Sequence, residues 1–128
     1  MCIGSKYKYR KIAEAYGSDL IPMKDLLNRY YGCDNTSLFS AITTVPNYRH
    51  SMGPDSLQHR FLQEDICSAL VPAQELAQLA SVTTPVIDAL ISIFSVITKN
   101  DLRSQGRSLA CLGLKDMSYK QVFNYVNS

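Results

Sequence analysis

The chain is a succession of short amphipathic segments in which apolar residues recur every three or four positions. That spacing is the period of one face of an α-helix, whereas no segment alternates with the two-residue period of a half-buried strand. Turn-forming residues separate the segments. The pattern therefore predicts an all-α protein, folded as a single compact bundle of about six or seven short helices.

Capping residues, glycines and prolines set the predicted bounds of these helices. The first begins at Ser5 and ends at Gly17, the second ends at Gly32, and Pro72 stands where it can open a helix. The predicted helices cover residues 5–16, 23–31, 36–43, 58–70, 72–80, 84–98 and 118–127. Residues 44–56 contain two prolines and a glycine, which predicts a loop.

Two of these helices have the clearest local signals. In residues 84–98, apolar side chains cover all but a narrow polar stripe, so we expect a central helix that is buried on most sides. In residues 118–127, Ser118 and Gln121 form a capping box, and Met117 and Val122 form a hydrophobic staple across the helix start.

Length, composition and charge narrow the class of protein. The chain has 128 residues, of which 46% are hydrophobic and 19% charged, as expected for one globular domain over residues 1–128. A net charge of +2 is too small to indicate nucleic-acid binding by itself. No apolar stretch is long enough to span a bilayer, and none follows the early basic residues as in a signal peptide. We therefore expect a cytoplasmic protein that binds no membrane.

The cysteines give no sign of a disulfide or a metal site. They lie far apart in the chain, no C-x-x-C pair occurs, and neither histidine has the spacing of a zinc ligand from any of them. We expect four reduced thiols, which behave as small, partly buried apolar groups. The four are Cys2, Cys33, Cys67 and Cys111.

Two groups of residues are candidates for chemistry. Residues 6–11 (KYKYRK) interleave basic and aromatic side chains, which suits phosphate neutralisation and base stacking, but equally a solvated basic helix. In the second group, Arg60 has the planar fork that binds a carboxylate, and Asp65 has the acceptor that orients a catalytic histidine. The alternative for this group is a solvent-exposed ion pair between Arg60 and Glu64, four residues apart on a helix.

Residues 60–72 (RFLQEDICSALVP) favour a functional site at Arg60 and Asp65 over a mere surface ion pair. They resemble a signature of the octopine/nopaline (opine) dehydrogenase family, approximately R-[YF]-[LI]-x-E-D-[VI]-P-x-G-L-V-P. The resemblance extends upstream to residues 12–17 and downstream through residues 75–77, 82–85, 106–108 and 112–114. It is most specific over residues 57–114.

The resemblance implies a fold and an activity. Enzymes of this family join a Rossmann-type NAD(P)-binding domain to a C-terminal helical domain of the 6-phosphogluconate-dehydrogenase-like type, and they condense an amino acid reductively with an α-keto acid such as pyruvate. This chain resembles the helical domain alone, so NAD or NADP would be bound mainly by a Rossmann domain outside it. We therefore expect no bound cofactor, no metal and no dehydrogenase turnover from the isolated chain.

The resemblance also implies roles for two residues. Arg60 falls on the family arginine that binds the substrate carboxylate, and Asp65 on the aspartate that pairs with the catalytic histidine. That histidine has no counterpart here, since His50 and His59 lie too close to the signature. Cys67 and Ala69 replace a proline and a glycine of the pattern, and both changes favour an uninterrupted helix.

Several interpretations remain open. Glu64 either pairs with Arg60, which we favour, or supports the site from behind. Arg107 more plausibly anchors a carbonyl or carboxylate between helices than touches substrate. Helical domains of this family type often carry dimer contacts, so a homodimer is an expectation. The alternatives to this family are a stand-alone helical interaction or nucleic-acid-binding module, and the helical domain of a dehydropantoate or glycerol-phosphate reductase.

Overall fold

The computed structural model of the chain describes residues 3–50, 52–53, 55–56 and 59–128, with side chains from Tyr9 onward in these ranges. Its helices are α1 (Ile3–Ala15), α2 (Met23–Tyr31), α3 (Leu38–Thr44), α4 (Pro46–Arg49), α5 (Arg60–Asp65), α6 (Val71–Leu79), α7 (Pro85–Thr98), α8 (Leu102–Gln105) and α9 (Tyr119–Val126), with a π-helical turn (Ile66–Leu70) between α5 and α6. Within the ranges named, no strand occurs, which confirms the prediction of an all-α protein.

The chain divides into two compact units, of which Met1–Asp19 and Pro54–Ser128 form the larger. Helix α1, the π turn and helices α6 to α9 all contribute to the apolar core of this unit. Its buried members are Ile12, Tyr16, Ile66, Val71, Ala73, Ala77, Ile87, Ile91, Leu102, Leu114 and Val122. The sequence predicts a single bundle where the structure has two units, and the assignment of residues 1–128 to one domain stays a prediction.

Short-range hydrogen bonds shape the smaller unit, Leu20–Gly53. Helix α2 ends at Gly32, whose φ of 61° is the left-handed conformation that glycine adopts at little cost. The amide of Asn28 then binds both backbone groups of Asn35 at 3.0 Å. Ser37 starts helix α3 by accepting a hydrogen bond from the backbone N–H of Ser40 at 3.0 Å. The turn between α2 and α3 is therefore fixed by its own side chains.

Some predicted helix bounds are wrong. Helix α1 begins at Ile3, so Ser5 lies inside the helix and does not start it. Residues 46–49 form helix α4 within the predicted loop, because Pro46 occupies the first helical position, where its fixed φ is favourable. Ser51 and Pro54, in the rest of that predicted loop, lie outside the described residues. The predicted helix start at residue 58 lies outside them as well.

Helix α8 is absent from the sequence-based prediction although it carries a local start signal. The side chain of Asp101 accepts hydrogen bonds from the backbone N–H groups of Arg103 at 3.1 Å and Ser104 at 3.2 Å. These bonds satisfy donors that the first helical turn leaves unpaired, and they lower the pKa of the Asp101 carboxyl. The helix has only four residues, too few to show an apolar period.

The predicted helices over residues 58–70 and 72–80 are one continuous helical rod over residues 60–79. Pro72 does not break it, because the preceding π turn is wider than an α-helical turn. In the hydrogen-bond pattern of a π-helix, the backbone N–H of residue 72 would donate to the carbonyl of Cys67, five residues earlier. Residue 72 is a proline and has no N–H to donate. The backbone N–H of Arg107 supplies the missing bond to Cys67 at 2.7 Å. Pro72 therefore leaves an acceptor on the rod to which the chain after α8 attaches.

The prediction that helix α7 is buried on most sides is wrong. Ile87 and Ile91 are buried, but Val86, Ile93 and Val96 on the same helix are exposed. Its predicted bounds are correct to within one residue. The helix therefore has one face in the core of the larger unit and a second apolar face that the described residues leave exposed.

Helix α9 confirms its local signals. The side chain of Gln121 accepts a hydrogen bond from the backbone N–H of Ser118 at 2.8 Å, as the capping box predicts. Met117 and Val122, the predicted staple, both pack into the core of the larger unit. The helix is held to the end of α1 by a hydrogen bond from the Asn127 amide to the carbonyl of Tyr16 at 3.0 Å.

Candidate functional site

The candidate site lies at the start of the helical rod, where His59 sets the first turn. The Nδ1 atom of His59 accepts a hydrogen bond from the backbone N–H of Phe61 at 3.2 Å. The two rings also pack together, with centroids 4.5 Å apart. His59 therefore starts helix α5 and holds Phe61, the residue after Arg60, in place.

Arg60 lies on the surface of helix α5, paired with Glu64 as one interpretation predicted. Its Nε atom is 3.6 Å from Oε1 of Glu64, and the two side chains are 76% and 58% exposed. The guanidinium also stands 5.6 Å from the ring centroid of Phe61. An ion pair as exposed as this one contributes at most about 1 kcal/mol. Glu64 therefore orients the Arg60 side chain but binds it only weakly.

Asp65 is also exposed, but it points away from Arg60. Five residues on an α-helix correspond to a rotation of about 140°, so the two side chains leave the helix on different sides. Asp65 lies on the side of Tyr9 of helix α1. The partial burial of Tyr9, and secondarily the negative charge of Asp65, raise the pKa of the Tyr9 hydroxyl. The structure thus separates the two predicted site residues, and the charge of Asp65 acts on Tyr9, which belongs to the other candidate group, residues 6–11.

The basic residues near the N-terminus offer little for a nucleic-acid interface. Arg10 is paired with Glu14, with Nε and Oε1 3.3 Å apart. Tyr9 packs against the core of the larger unit. The side chains of Lys6, Tyr7 and Lys8 lie outside the described residues. Among the described residues, the interleaved pattern therefore consists of the partly buried Tyr9, of Arg10 paired with Glu14, and of the exposed Lys11.

A polar cluster that the sequence analysis missed joins three helices of the larger unit. Gln74 of α6 is only 2% exposed, and its amide donates to Asp88 of α7 and accepts from Arg103 of α8. Arg103 and Asp88 also approach each other, with Nη2 and Oδ1 3.9 Å apart. Thr84 donates a further hydrogen bond to Asp88 at 3.3 Å. Because the three residues come from separate helices, their spacing in the sequence carries no signal of this contact.

Replacing Gln74 with leucine tests the importance of this cluster. The change keeps the volume of the side chain but removes one hydrogen bond from Asp88 and one from Arg103, both of them to charged groups. We expect the free energy of unfolding to fall by about 1–3 kcal/mol. Urea denaturation measures it, and Gln78→Leu, an exposed position on the same helix, is the matched control. Equal effects at both positions would contradict a specific role for the cluster.

Comparison with known proteins identifies the family to which the chain belongs. The sequence model described as NAD/NADP octopine/nopaline dehydrogenase, alpha-helical domain, matches residues 7–98, which is most of the chain. The chain belongs to this family. It is 33% identical to an opine dehydrogenase of Arthrobacter sp. (strain 1C) over 107 residues, 84% of this chain and 30% of that protein.

Two further relatives are similar to the chain over a comparable range. A D-nopaline dehydrogenase of Agrobacterium tumefaciens (strain T37) is 28% identical over 108 residues, 84% of this chain and 26% of that protein. A vitopine synthase of Allorhizobium ampelinum (strain ATCC BAA-846 / DSM 112012 / S4) is 25% identical over 99 residues, 77% of this chain and 28% of that protein. The chain therefore spans less than a third of the length of these relatives.

The family match includes both predicted site residues. Residues 7–98 contain the whole 60–72 signature, with Arg60, Asp65 and Pro72. Residues 106–108 and 112–114, which also resemble the family, lie beyond the matched range. The structure nevertheless connects Gly106 and Arg107 to the signature, through the hydrogen bond to Cys67 and the packing of Gly106 on Val71.

The name of the octopine/nopaline dehydrogenase family implies a dinucleotide cofactor, and the described residues do not fit one. A dinucleotide is ordinarily bound at a glycine-rich turn between a parallel strand and a helix, and these residues contain no strand. Gly32 ends a helix, and Gly106 packs against Val71. No step of hydride transfer can therefore be assigned to these residues.

The thiols and membrane-related features add no further site. Cys33, Cys67 and Cys111 are free, while Cys2 lies outside the described residues. Burial raises the pKa of Cys67, and hydrogen bonds from Ser108 lower that of Cys111. Within the described ranges, no three His, Cys, Asp or Glu residues converge to hold a metal ion. In the same ranges, no helix has the length and apolar character needed to cross a membrane.

Proposed function

We propose that the chain is the substrate-binding helical domain of an NAD(P)-dependent opine dehydrogenase-like oxidoreductase. The complete enzyme would condense an amino acid with an α-keto acid such as pyruvate, and NAD or NADP would be bound mainly by a Rossmann domain outside this chain. The observation that carries the proposal is the family match over residues 7–98, which includes the complete 60–72 signature. A cytoplasmic location and a homodimer are further parts of the proposal.

Arg60 is proposed to bind the carboxylate of the keto acid. Its guanidinium is mostly exposed, and its single contact with Glu64 is weak enough for a bidentate substrate carboxylate to replace it. His59 and Phe61 support this role because they fix the first turn of the helix. A positioned arginine holds the keto acid in one orientation, and orientation contributes to the rate of a bimolecular condensation.

Asp65 is proposed to pair with a catalytic histidine that lies outside this chain. Its carboxylate is exposed and available as an acceptor for an imidazole N–H. A carboxylate in this position fixes the histidine tautomer and stabilises the protonated ring during proton transfer. Since Arg60 and Asp65 leave the helix about 140° apart, the histidine held by Asp65 would reach the keto acid only if the substrate extends from Arg60 around helix α5 towards Asp65. The two roles therefore need separate tests.

Carboxylate binding is testable on the 128-residue chain itself. We expect pyruvate to cause saturable shifts of the backbone NMR signals around Arg60, and Arg60→Gln to abolish them. Arg10→Gln is the matched control, because Arg10 forms an equally spaced and similarly exposed pair with Glu14. Shifts that do not saturate, or that disappear equally in both variants, would reduce the signature to a feature of the fold.

Catalytic roles are tested in a chimera in which this chain replaces the corresponding helical domain of the Arthrobacter opine dehydrogenase. We expect Arg60→Gln to raise KM for the keto acid and Asp65→Asn to lower kcat by about 10²–10⁴-fold, as for the loss of general acid–base catalysis. The chain alone is expected to oxidise no NADH or NADPH in the presence of pyruvate and amino acids. Oxidation of NADH or NADPH by the chain alone, if Asp65→Asn abolishes it, would contradict the proposed inactivity of the isolated chain. An unchanged kcat of the Asp65→Asn chimera would exclude the proposed role of Asp65.

A further inference from the structure

The helical rod over residues 60–79 changes its hydrogen-bond pattern within the family signature. At the start of the π turn, the backbone N–H of Ile66 bonds to the carbonyl of Leu62, four residues earlier, as in any α-helix. At its end, the N–H of Val71 bonds to the carbonyl of Ile66, five residues earlier. In an α-helix, Val71 would bond to the carbonyl of Cys67 instead. We call these two patterns at Val71 the π register and the α register.

Pro72 accounts for the π register. In the α register, its ring would collide with the carbonyl of Ser68, four residues earlier, whereas the wider π turn avoids that contact. Pro72 is also buried, so any other residue here would need a partner inside the protein for its N–H. Along the rod, the carbonyls with the spacing to serve are those of Ser68 and Cys67. Proline removes this need and thereby favours the π register.

The chain after helix α8 binds to the rod at the same turn. The N–H of Arg107 donates to the carbonyl of Cys67 at 2.7 Å, and the thiol of Cys67 lies 3.7 Å from the carbonyl oxygen of Leu102. Gly106 packs on Val71 so closely that a Cβ atom there would collide with it. In the α register, Val71 and Arg107 would compete for one carbonyl. This segment therefore fits the π register and disfavours the α register.

The register determines the direction of the residues before the turn. A shift of one residue in a helix corresponds to a rotation of about 100°. Ala73 and Ala77 fix helix α6 in the core, so a change of register would turn residues 60–65 about the axis of the rod relative to that core. In the π register, Asp65 lies on the side of Tyr9 of helix α1. In the α register, Asp65 would leave the rod on another side.

We propose that Pro72 is a positioning residue, which excludes the α register and thereby sets the direction in which Arg60 and Asp65 leave the rod. Asp65 precedes Pro72 by about two helical turns, so the effect passes through the π turn. The value of this direction for catalysis rests on the proposed roles of Arg60 and Asp65. The direction itself is measurable on the 128-residue chain without substrate.

NMR couplings across hydrogen bonds identify the register, because they connect a donor nitrogen to the carbonyl carbon that accepts from it. In the unsubstituted chain, we expect a coupling from Val71 to Ile66 and another from Arg107 to Cys67. A coupling from Val71 to Cys67 in the unsubstituted chain would overturn the proposal. This first measurement needs no variant.

Pro72→Ala is expected to change both couplings. The restored N–H can bond to the carbonyl of Ser68 once the ring no longer blocks it, so Val71 should couple to Cys67 and the coupling of Arg107 should be lost. Pro72→Val keeps more of the buried side-chain volume and should give the same result. The test therefore does not depend on the folding of a single variant.

Pro85→Ala is the matched control for these variants. It makes the same substitution at the first position of helix α7, where proline removes no helical hydrogen bond, so both couplings should remain. If both Pro72 variants retained the coupling from Val71 to Ile66, the segment after α8 would set the register without Pro72, and the proposal would be wrong. Unfolding of both Pro72 variants would also overturn it, because Pro72 would then have no α register to exclude.

The direction of Asp65 is measured through Tyr9. The negative charge of Asp65 contributes to the raised pKa of the Tyr9 hydroxyl, so Asp65→Asn should lower that pKa. In Pro72→Ala, where Asp65 is turned away, Asp65→Asn should leave the pKa of Tyr9 unchanged. NMR titration of ring-labelled tyrosines measures both effects, with the Tyr9 signal assigned by Tyr9→Phe.

This comparison separates positioning from a general effect on stability. If Pro72 were only structural, Asp65→Asn would lower the pKa of Tyr9 equally with proline or alanine at position 72, and that result would overturn the proposal. Neither measurement uses pyruvate or the chimera. Failure of the proposed roles of Arg60 and Asp65 in catalysis is therefore distinguishable from failure of the role of Pro72.

Discussion

Ile91→Ala is expected to lower the free energy of unfolding by about 2–5 kcal/mol, the largest effect that we predict for a single substitution. Ile91 is 1% exposed and lies in the core of the larger unit. Removing three carbon atoms there loses the transfer free energy of the atoms and leaves a cavity that rigid helices cannot fill. Urea denaturation of the chain measures the change.

Ile93→Ala provides the control for this prediction because it makes the same chemical change two residues away on the same helix. Ile93 is half exposed, so little apolar burial is lost, and alanine has the higher helix propensity. We expect a change within about 0.5 kcal/mol. Similar destabilisation by the two variants would mean that Ile93 is buried in the folded chain.

Gly106→Ala is expected to lower the free energy of unfolding by about 1–3 kcal/mol. A Cβ atom on Gly106 would lie 2.6 Å from Cβ of Val71, and both atoms belong to parts of the chain that cannot move freely. The hydrogen bond from Arg107 to Cys67 holds the two segments together at this point. Relief of the contact would stretch that bond and expose the carbonyl that Pro72 leaves without a helical donor.

Two variants make the Gly106 prediction specific. Gly53→Ala introduces the same methyl group at a position where none of the described residues lies within 4 Å, so its effect on stability should be small. Val71→Ala combined with Gly106→Ala should not restore stability, because alanine retains the Cβ that causes the contact. Recovery in the double variant, or equal effects of the two glycine substitutions, would show that the approach of the two segments is not tight.

Much of the local structure was predictable because the signals lie within a few residues of each other. Gly32 ends α2 in a left-handed conformation, and Ser118 with Gln121 starts α9 as predicted. The exposed pair of Arg60 with Glu64 follows from their spacing of four residues on a helix. The family resemblance was also predictable, because the consecutive residues 60–72 carry it, and the family match confirms it.

Other features were not predictable from local pattern. The sequence allows Pro72 to open a new helix, and only the π turn before it makes one rod of two predicted helices. The contact of Gln74 with Asp88 and Arg103 joins residues 14 and 29 positions apart. The separation of Arg60 from Asp65 follows from helix geometry, yet the association of Asp65 with Tyr9 requires helix α1 to pack nearby.

The sequence by itself determined that this protein is helical, where helices α2, α7 and α9 begin and end, and to which family it belongs. These properties depend on hydrophobic period, on caps and on consecutive residues, all of which are interactions of short range. The tertiary structure alone decided which side of each helix is buried. A nearly all-apolar helix such as α7 has no unique inward face in its sequence. Its neighbours select Ile87 and Ile91 for the core and leave Ile93 and Val96 outside, because burial depends on what packs against a residue.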